Sequence, residues 1–293
     1  MAISHGEHTL DIHGRKLRYK VAGRGPVLMV QAPGWGIGCG LYEDGLARLE
    51  SRFTVVHHDP QGSGGSDSPS DPREMNVGSF IDDLEVLRRH LKLDRFALMG
   101  HSHGGFIAMN YVLKYPQHVS HLIALDAQLG VVEPVQDVQR TLPALAIDPR
   151  FSEAARLFAG TRKLDSDQDL SEFLSGALPL YFFDPESEQC KAAQQYVRSV
   201  RISVAAMKAT SESDVRFLVR ERLGEIRART LVLVGRHDFI CSPVQAEAIH
   251  EGIADSQMVV FENSGHLPWA EEPASFLSSV TRFLESPTSN QQA

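Results

Sequence analysis

A chain of 293 residues with a formal net charge of −8 and no cluster of lysine or arginine lacks the basic footprint that nucleic acids and anionic membranes require. Hydrophobic residues at 42% and charged residues at 23% suit a soluble globule with a large core, and no apolar run approaches the ~18 residues of a membrane span. Cys39, Cys190 and Cys241 are odd in number and widely spaced, which predicts free thiols in a reducing, cytoplasmic setting and no metal motif. The N-terminus lacks a basic region followed by an apolar stretch, so no export signal is expected.

In chain order, residues 8–13 and 16–22 alternate as two strands joined by a hairpin at His13-Gly14. Pro26 to Val30 is a continuous apolar run, the pattern of a strand covered on both faces, and it ends in Gln31-Ala32-Pro33-Gly34-Trp35-Gly36. A strand over 53–58 closes at Asp59-Pro60-Gln61-Gly62. Phe80, Ile81, Leu84, Leu87 and Leu91 recur at helical spacing and predict an amphipathic helix over 77–92. Phe96 to Met99 is strand-like, and a helical pattern over 103–115 follows Gly100-His101-Ser102-His103-Gly104. Residues 121–125 give another strand, ending at Asp126.

From 127 to 226 the alternation gives way to a mostly helical pattern broken by Pro134, Pro143, Pro149, Pro179 and Pro185. Strands return at 230–234 and 257–261, with helices over 243–251 and 269–285 and a polar tail at 287–293. This alternation predicts an α/β fold: a mostly parallel, doubly wound eight-stranded sheet with right-handed crossovers. Residues 1–126 and 227–286 would form the core, with 127–226 inserted after the sixth strand as a helical lid. The lid would lie over the strands' carboxyl ends, where open α/β sheets bind ligands.

The five residues Gly100 to Gly104 fit the Gly-x-Ser-x-Gly turn that lifts a serine off a strand end. The serine would stand at a helix N-terminus, where the N–H of His103 supplies half of an oxyanion hole. A serine hydroxyl needs a base within reach and a third group to orient that base. Asp238, in Gly235-Arg236-His237-Asp238, and His266, in Asn263-Ser264-Gly265-His266, each follow a strand and would emerge at the same edge.

Taken together, GHSHGG, DPQGSG, GRHD and SGHLPWAEEP appear in an order that resembles the α/β-hydrolase superfamily, in its lid-bearing single-domain branch, over nearly the whole chain. The resemblance implies Ser102 as nucleophile, His266 as general base and then acid, and Asp238 as the group that holds the histidine's tautomer. Asp126, at the end of the sixth strand, is a rival acid. Relatives usually carry His-Gly where this chain has Gln31 to Gly36, and Pro33 has no N–H to donate. The Trp35 N–H is therefore expected as the second oxyanion donor, with Gly34 as fallback. Gln61 stands where many relatives have arginine. His101, Trp35, Tyr181 and Phe182 are expected to line the substrate pocket, while His57 and His58 read as structural.

A serine nucleophile implies an acyl-enzyme, hence hydrolysis of an ester, thioester, lactone or amide, with no cofactor and no metal, and the apolar, aromatic side chains of residues 127–226 suggest an uncharged small molecule as substrate. One alternative is a prolyl-iminopeptidase-like aminopeptidase, which needs lid carboxylates such as Glu172, Asp184, Glu186 or Glu188 to bind a free α-amine. Those enzymes generally show tryptophan where His103 stands. A C–C bond hydrolase, or a ligand receptor that keeps the three residues without turnover, completes the set of readings. Oligomeric state has no signal in the sequence.

Overall fold

A computed structural model describes residues 3–213 and 216–286, so the expected tail at 287–293 lies outside the described residues. The chain opens with β1 (Gly6–Ile12) and β2 (Arg15–Gly23), joined by a two-residue turn in which His13 and Gly14 take φ of 54° and 82°. Positive φ at both positions matches the right-handed twist of paired strands. β1 pairs antiparallel with β2, and β2 antiparallel with β4 (Thr54–His58).

The remaining pairings are all parallel: β3 (Val27–Gln31) with β4 and β5 (Phe96–His101), then β6 (Val119–Leu125), β7 (Arg229–Gly235) and β8 (Ser256–Phe261). The eight-stranded order is β1-β2-β4-β3-β5-β6-β7-β8. Because these strands run the same way, the loops after β3 through β8 gather at one edge.

Side chains alternate between the two faces of a strand, so each parallel strand feeds two cores. On one face Met29, Val56, Leu98, Leu122 and Val232 pack against α2 (Val77–His90), α3 (His103–Lys114) and α9 (Pro243–Gly252) through Phe80, Leu84, Phe106, Met109 and Ile249. On the other, Leu28, Val30, Val55, Met99, Ile123 and Leu233 meet Tyr42 and Leu46 of α1 (Gly40–Leu46) and Phe276, Val280 and Phe283 of the last helix. Each such phenyl or leucyl group contributes about 1.5–3 kcal/mol on burial.

Between β6 and β7 lie α4 (Glu133–Ile147), α5 (Ser152–Ala159), α6 (Asp167–Ala177), α7 (Glu188–Ser199) and α8 (Val204–Ser213). This helical insertion is bonded to the strand-end loops. Thr141 Oγ1 donates to the Phe239 carbonyl at 2.9 Å, and Thr210 Oγ1 to the Gly34 carbonyl at 2.9 Å. No helix among the described residues is long and apolar enough to cross a membrane.

Two elements differ from the sequence expectation. α1 had no detectable period because its seven residues bury only Tyr42 and Leu46 and include two glycines. The helix expected over 269–285 is two helices, α10 (Pro268–Glu271) and α11 (Pro273–Glu285). Pro273 bars its predecessor from helical geometry, and Glu272 accordingly sits at φ −124°, ψ 56°.

Candidate active site

Ser102 lies between β5 and α3 at φ 56°, ψ −127°, a conformation that costs a side-chain-bearing residue about 1–3 kcal/mol. Four backbone bonds hold it: the Ser102 N–H donates to Leu125 O at 3.0 Å, and its carbonyl accepts from Gly105 at 2.9 Å, Gln128 at 3.0 Å and Phe106 at 3.4 Å. A Cβ on Gly104 would sit 2.3 Å from the Gln31 carbonyl oxygen, so only glycine lets α3 press against the end of β3. The hydroxyl is thus carried past the strand end at the start of a helix.

Asp238 and His266 meet at the same edge, with His266 Nδ1 2.6 Å from Asp238 Oδ2. The other carboxylate oxygen accepts the N–H groups of Ile240 at 3.0 Å and Cys241 at 2.9 Å. Burial pulls this carboxyl up, but the imidazole and the two N–H donors outweigh it and hold it below the usual carboxylate range. The two loops touch closely enough that a Cβ on Gly235 would lie 1.8 Å from the Gly265 carbonyl oxygen.

Asp126, the rival acid, emerges after β6 between the strands of Ser102 and Asp238. Its Oδ1 accepts the Gly235 N–H at 2.8 Å, while Oδ2 has no hydrogen-bond partner. Burial, and then the adjacent Asp238 charge, push it well above the usual carboxylate range. The imidazole of His266 is therefore paired with Asp238, and Asp126 stands beside that pair with its charged form disfavoured.

The residues expected around the nucleophile are engaged as follows. His101 has both ring nitrogens occupied: Nε2 lies 2.9 Å from the His266 carbonyl oxygen and Nδ1 2.7 Å from the Tyr42 hydroxyl. Its ring packs 4.4 Å from that of His266 and 4.6 Å from that of Trp269. The Gly34 N–H donates to His103 Nδ1 at 3.2 Å, so the fallback oxyanion donor is already engaged. The Trp35 ring tilts against His103 at 6.2 Å. Phe182 turns into the core at 2% exposure, whereas Tyr181 sets its ring edge-on to His266 at 5.3 Å. Gln61, in place of an arginine, donates Nε2 to the Glu74 carbonyl at 2.8 Å.

Three contacts at this edge are not anticipated by the sequence reading. The Tyr181 carbonyl accepts the His266 N–H at 2.7 Å, which seats the insertion on the histidine loop. Glu271 accepts N–H groups from Gly265 at 2.7 Å, Phe183 at 2.8 Å and Asp184 at 3.3 Å, bridging the same two segments. Its carboxyl is raised by burial, with the three donors opposing. The acids of PWAEEP were visible as residues, but nothing in the pattern assigned their partners. Cys241, the third, is buried with its sulfur within 4.8 Å of a carboxylate oxygen of Asp238 and a ring nitrogen of His266.

Comparison with known proteins agrees with this architecture. The family described as alpha/beta hydrolase fold matches residues 29–273. An uncharacterised protein of Mycobacterium tuberculosis is 30% identical over 94% of this chain and 80% of its own length. The proline iminopeptidase of Saccharolobus solfataricus is 29% identical over 94% of this chain and 89% of its own. An esterase of Rhodococcus sp. ECU1013 superposes with a TM-score of 0.75 at 21% identity, covering 97% of this chain and 99% of the esterase. With the sheet order, the strained serine turn and a family match over most of its length, the chain belongs to the α/β-hydrolase family.

Proposed function

We propose that this protein is a serine hydrolase that cleaves a carboxylic ester, lactone or related acyl bond of an uncharged small molecule through an acyl-enzyme. The reading is carried by the 2.6 Å contact between His266 Nδ1 and Asp238 Oδ2 at the sheet edge that also bears the strained Ser102. In it, Ser102 Oγ attacks the carbonyl carbon while His266 Nε2 takes the hydroxyl proton and Asp238 stabilises the imidazolium. The N–H groups of His103 and Trp35 receive the oxyanion of the tetrahedral intermediate. His266 then returns the proton to the leaving oxygen, and water attacks the acyl-enzyme by the same relay in reverse. Residues 127–226 act as the lid that shapes the pocket, with Tyr181 at its inner face. The free thiols Cys39, Cys190 and Cys241 suit a reducing, cytoplasmic setting.

Similarity to an iminopeptidase makes aminopeptidase activity the second reading. A free α-amine needs a carboxylate held near Ser102, and the candidates are engaged elsewhere. Glu172 pairs with Arg162 at 2.7 Å and Glu188 with Lys191 at 2.7 Å, on exposed helix faces. Asp184 and Glu186 are exposed, and Glu271 already holds three main-chain donors. This favours an uncharged acyl substrate.

Fluorophosphonate labelling of Ser102, followed by a nitrophenyl-ester panel with Ser102→Ala as control, tests the reading. Ester turnover that vanishes in Ser102→Ala supports it. Proline-naphthylamide turnover equal to the best ester would reverse the order of the two readings. No turnover with saturable ligand binding that survives Ser102→Ala would replace both with a receptor.

A further inference from the structure

The spacing of the cysteines along the chain shows no metal motif, yet the fold assembles a donor set that the spacing hides. Cys241 follows Asp238 by three residues, and its N–H donates to Asp238 Oδ1 at 2.9 Å, closing a tight turn. That turn brings the thiol back beside the acid–base pair. One ring nitrogen of His266, one carboxylate oxygen of Asp238 and Cys241 Sγ all lie within 4.8 Å of one another. All three residues are buried, at 4%, 3% and 2% exposure. No other trio of histidine, cysteine or acidic side chains comes together in this way among the described residues.

We propose that these three side chains form a binding site for a soft divalent cation, Zn²⁺ or Cd²⁺, and that occupancy switches off the hydrolase. Thiolate, imidazole and carboxylate are the donors that zinc takes, and three protein ligands leave a fourth position for water. Bonds of about 2.0–2.3 Å in a tetrahedron set ligand atoms roughly 3.3–3.6 Å apart. The Asp238–His266 contact must therefore open from its present 2.6 Å by less than about 1 Å. The sulfur, now within 4.8 Å, must close by no more than about 1.5 Å.

Binding and inhibition follow from one proton balance. The cation displaces the thiol proton of Cys241 to solvent, and the thiolate and the Asp238 carboxylate together neutralise the dication. If the metal takes His266 Nδ1, the ring's remaining proton sits on Nε2, the wrong tautomer for accepting one from Ser102. If it takes Nε2, the accepting lone pair itself is consumed. Either way the base is lost. Only this inhibitory consequence rests on the serine-hydrolase reading; the binding of the cation stands apart from it.

The decisive measurement is a Cd²⁺ titration of the Ser102→Ala protein, followed by the ultraviolet charge-transfer absorption of the cadmium–thiolate bond. One equivalent is expected to give a saturable band that is missing from the Ser102→Ala/Cys241→Ala double variant. In the active enzyme, Zn²⁺ is expected to inhibit ester turnover and a chelator to restore it. Relative to its own uninhibited rate, Cys241→Ala should need at least about tenfold more Zn²⁺. Cys241→Ser repeats the comparison should the alanine variant not fold. A band of undiminished size without Cys241, or equal zinc sensitivity with and without it, overturns the site. A cadmium band in a protein with no ester turnover would leave the site standing and remove the hydrolase reading, and turnover without the band would do the opposite.

Discussion

His101 Nε2 donates to the main-chain carbonyl of His266 at 2.9 Å, so the residue preceding the candidate nucleophile holds the loop of the candidate base. A carbonyl only accepts, so the ring proton is on Nε2, and Nδ1 accepts the Tyr42 hydroxyl at 2.7 Å. Burial, then the neighbouring His266 ring, keep the His101 pKa well below its ordinary value, and the ring stays neutral. His101 is thus a positioning residue. His101→Ala is expected to lower kcat by about 10–100-fold with KM within about twofold, because the base shifts while substrate contacts remain. His101→Gln, which restores a donor, should recover part of the loss. Steady-state kinetics on an ester decide it: a rise in KM at constant kcat would return His101 to the pocket wall.

The adjacent His57 and His58 are expected to make the protein acid-sensitive. They end β4 facing opposite sides of the sheet, with neither His57 nitrogen partnered and His58 Nε2 3.1 Å from Gln31 Oε1. Burial lowers both to about 4, with Glu43 pulling His57 up and Lys20 and Arg18 pulling it down. A folded value below the unfolded value near 6.5 means that the unfolded chain takes the proton first. Their contribution is complete above about pH 6.5 and is lost as the pH falls towards 4, by up to about 3 kcal/mol per histidine. His57→Leu is expected to melt at a higher temperature than the wild type at pH 5, by a margin that shrinks at pH 7. Equal margins at both values would show that the ring is not neutral in the fold.

How much of this was legible follows from what pattern can carry. Val27–Gln31 and Phe96–His101 announced themselves because both sheet faces are covered, which leaves no polar alternation to confuse with a helix. Ser102, Asp126, Asp238 and His266 were placed at one edge because each directly follows a strand of the parallel set. Contacts between distant segments have no such trace. Nothing in the sequence tells the Gly34 N–H to seek His103, the Tyr181 carbonyl to meet His266, or the Cys241 thiol to stand beside Asp238. The inward turn of His101 is a further case: it belongs to β5 and follows the strand's alternation, while the strained Ser102 breaks away from it.

The strain at Ser102 is itself measurable. At φ 56° and ψ −127° the Cβ is the offending atom, so removing the hydroxyl alone relieves nothing. Ser102→Gly should be more stable than Ser102→Ala by about 1 kcal/mol, with ester turnover absent from both. Chemical denaturation of the two variants compares them directly. Identical midpoints would mean that the turn carries no strain for function to exploit.

Asp126 and Asp238 present the sharpest charge question at this edge, since two neighbouring buried carboxyls cannot both ionise cheaply. The structure resolves it by environment: Asp238 has an imidazole and two N–H donors, whereas Asp126 has the single Gly235 N–H. Asp126→Asn keeps an acceptor for that N–H and a neutral side chain, so activity is expected to stay within about threefold of wild type, an effect of the size a lost secondary contact has. Asp238→Asn, which leaves His266 without its anionic partner, should cost about 10⁴ in kcat, as when a triad carboxylate is neutralised. The stability effect has a definite sign. A carboxyl raised in the fold binds a proton that the unfolded chain releases, so it destabilises increasingly as pH climbs above about 4. Asp126→Asn should therefore melt at a higher temperature than wild type at pH 7, and the gain should fade as the pH approaches 4. A 10⁴-scale loss in Asp126→Asn with little change in Asp238→Asn would exchange the two roles.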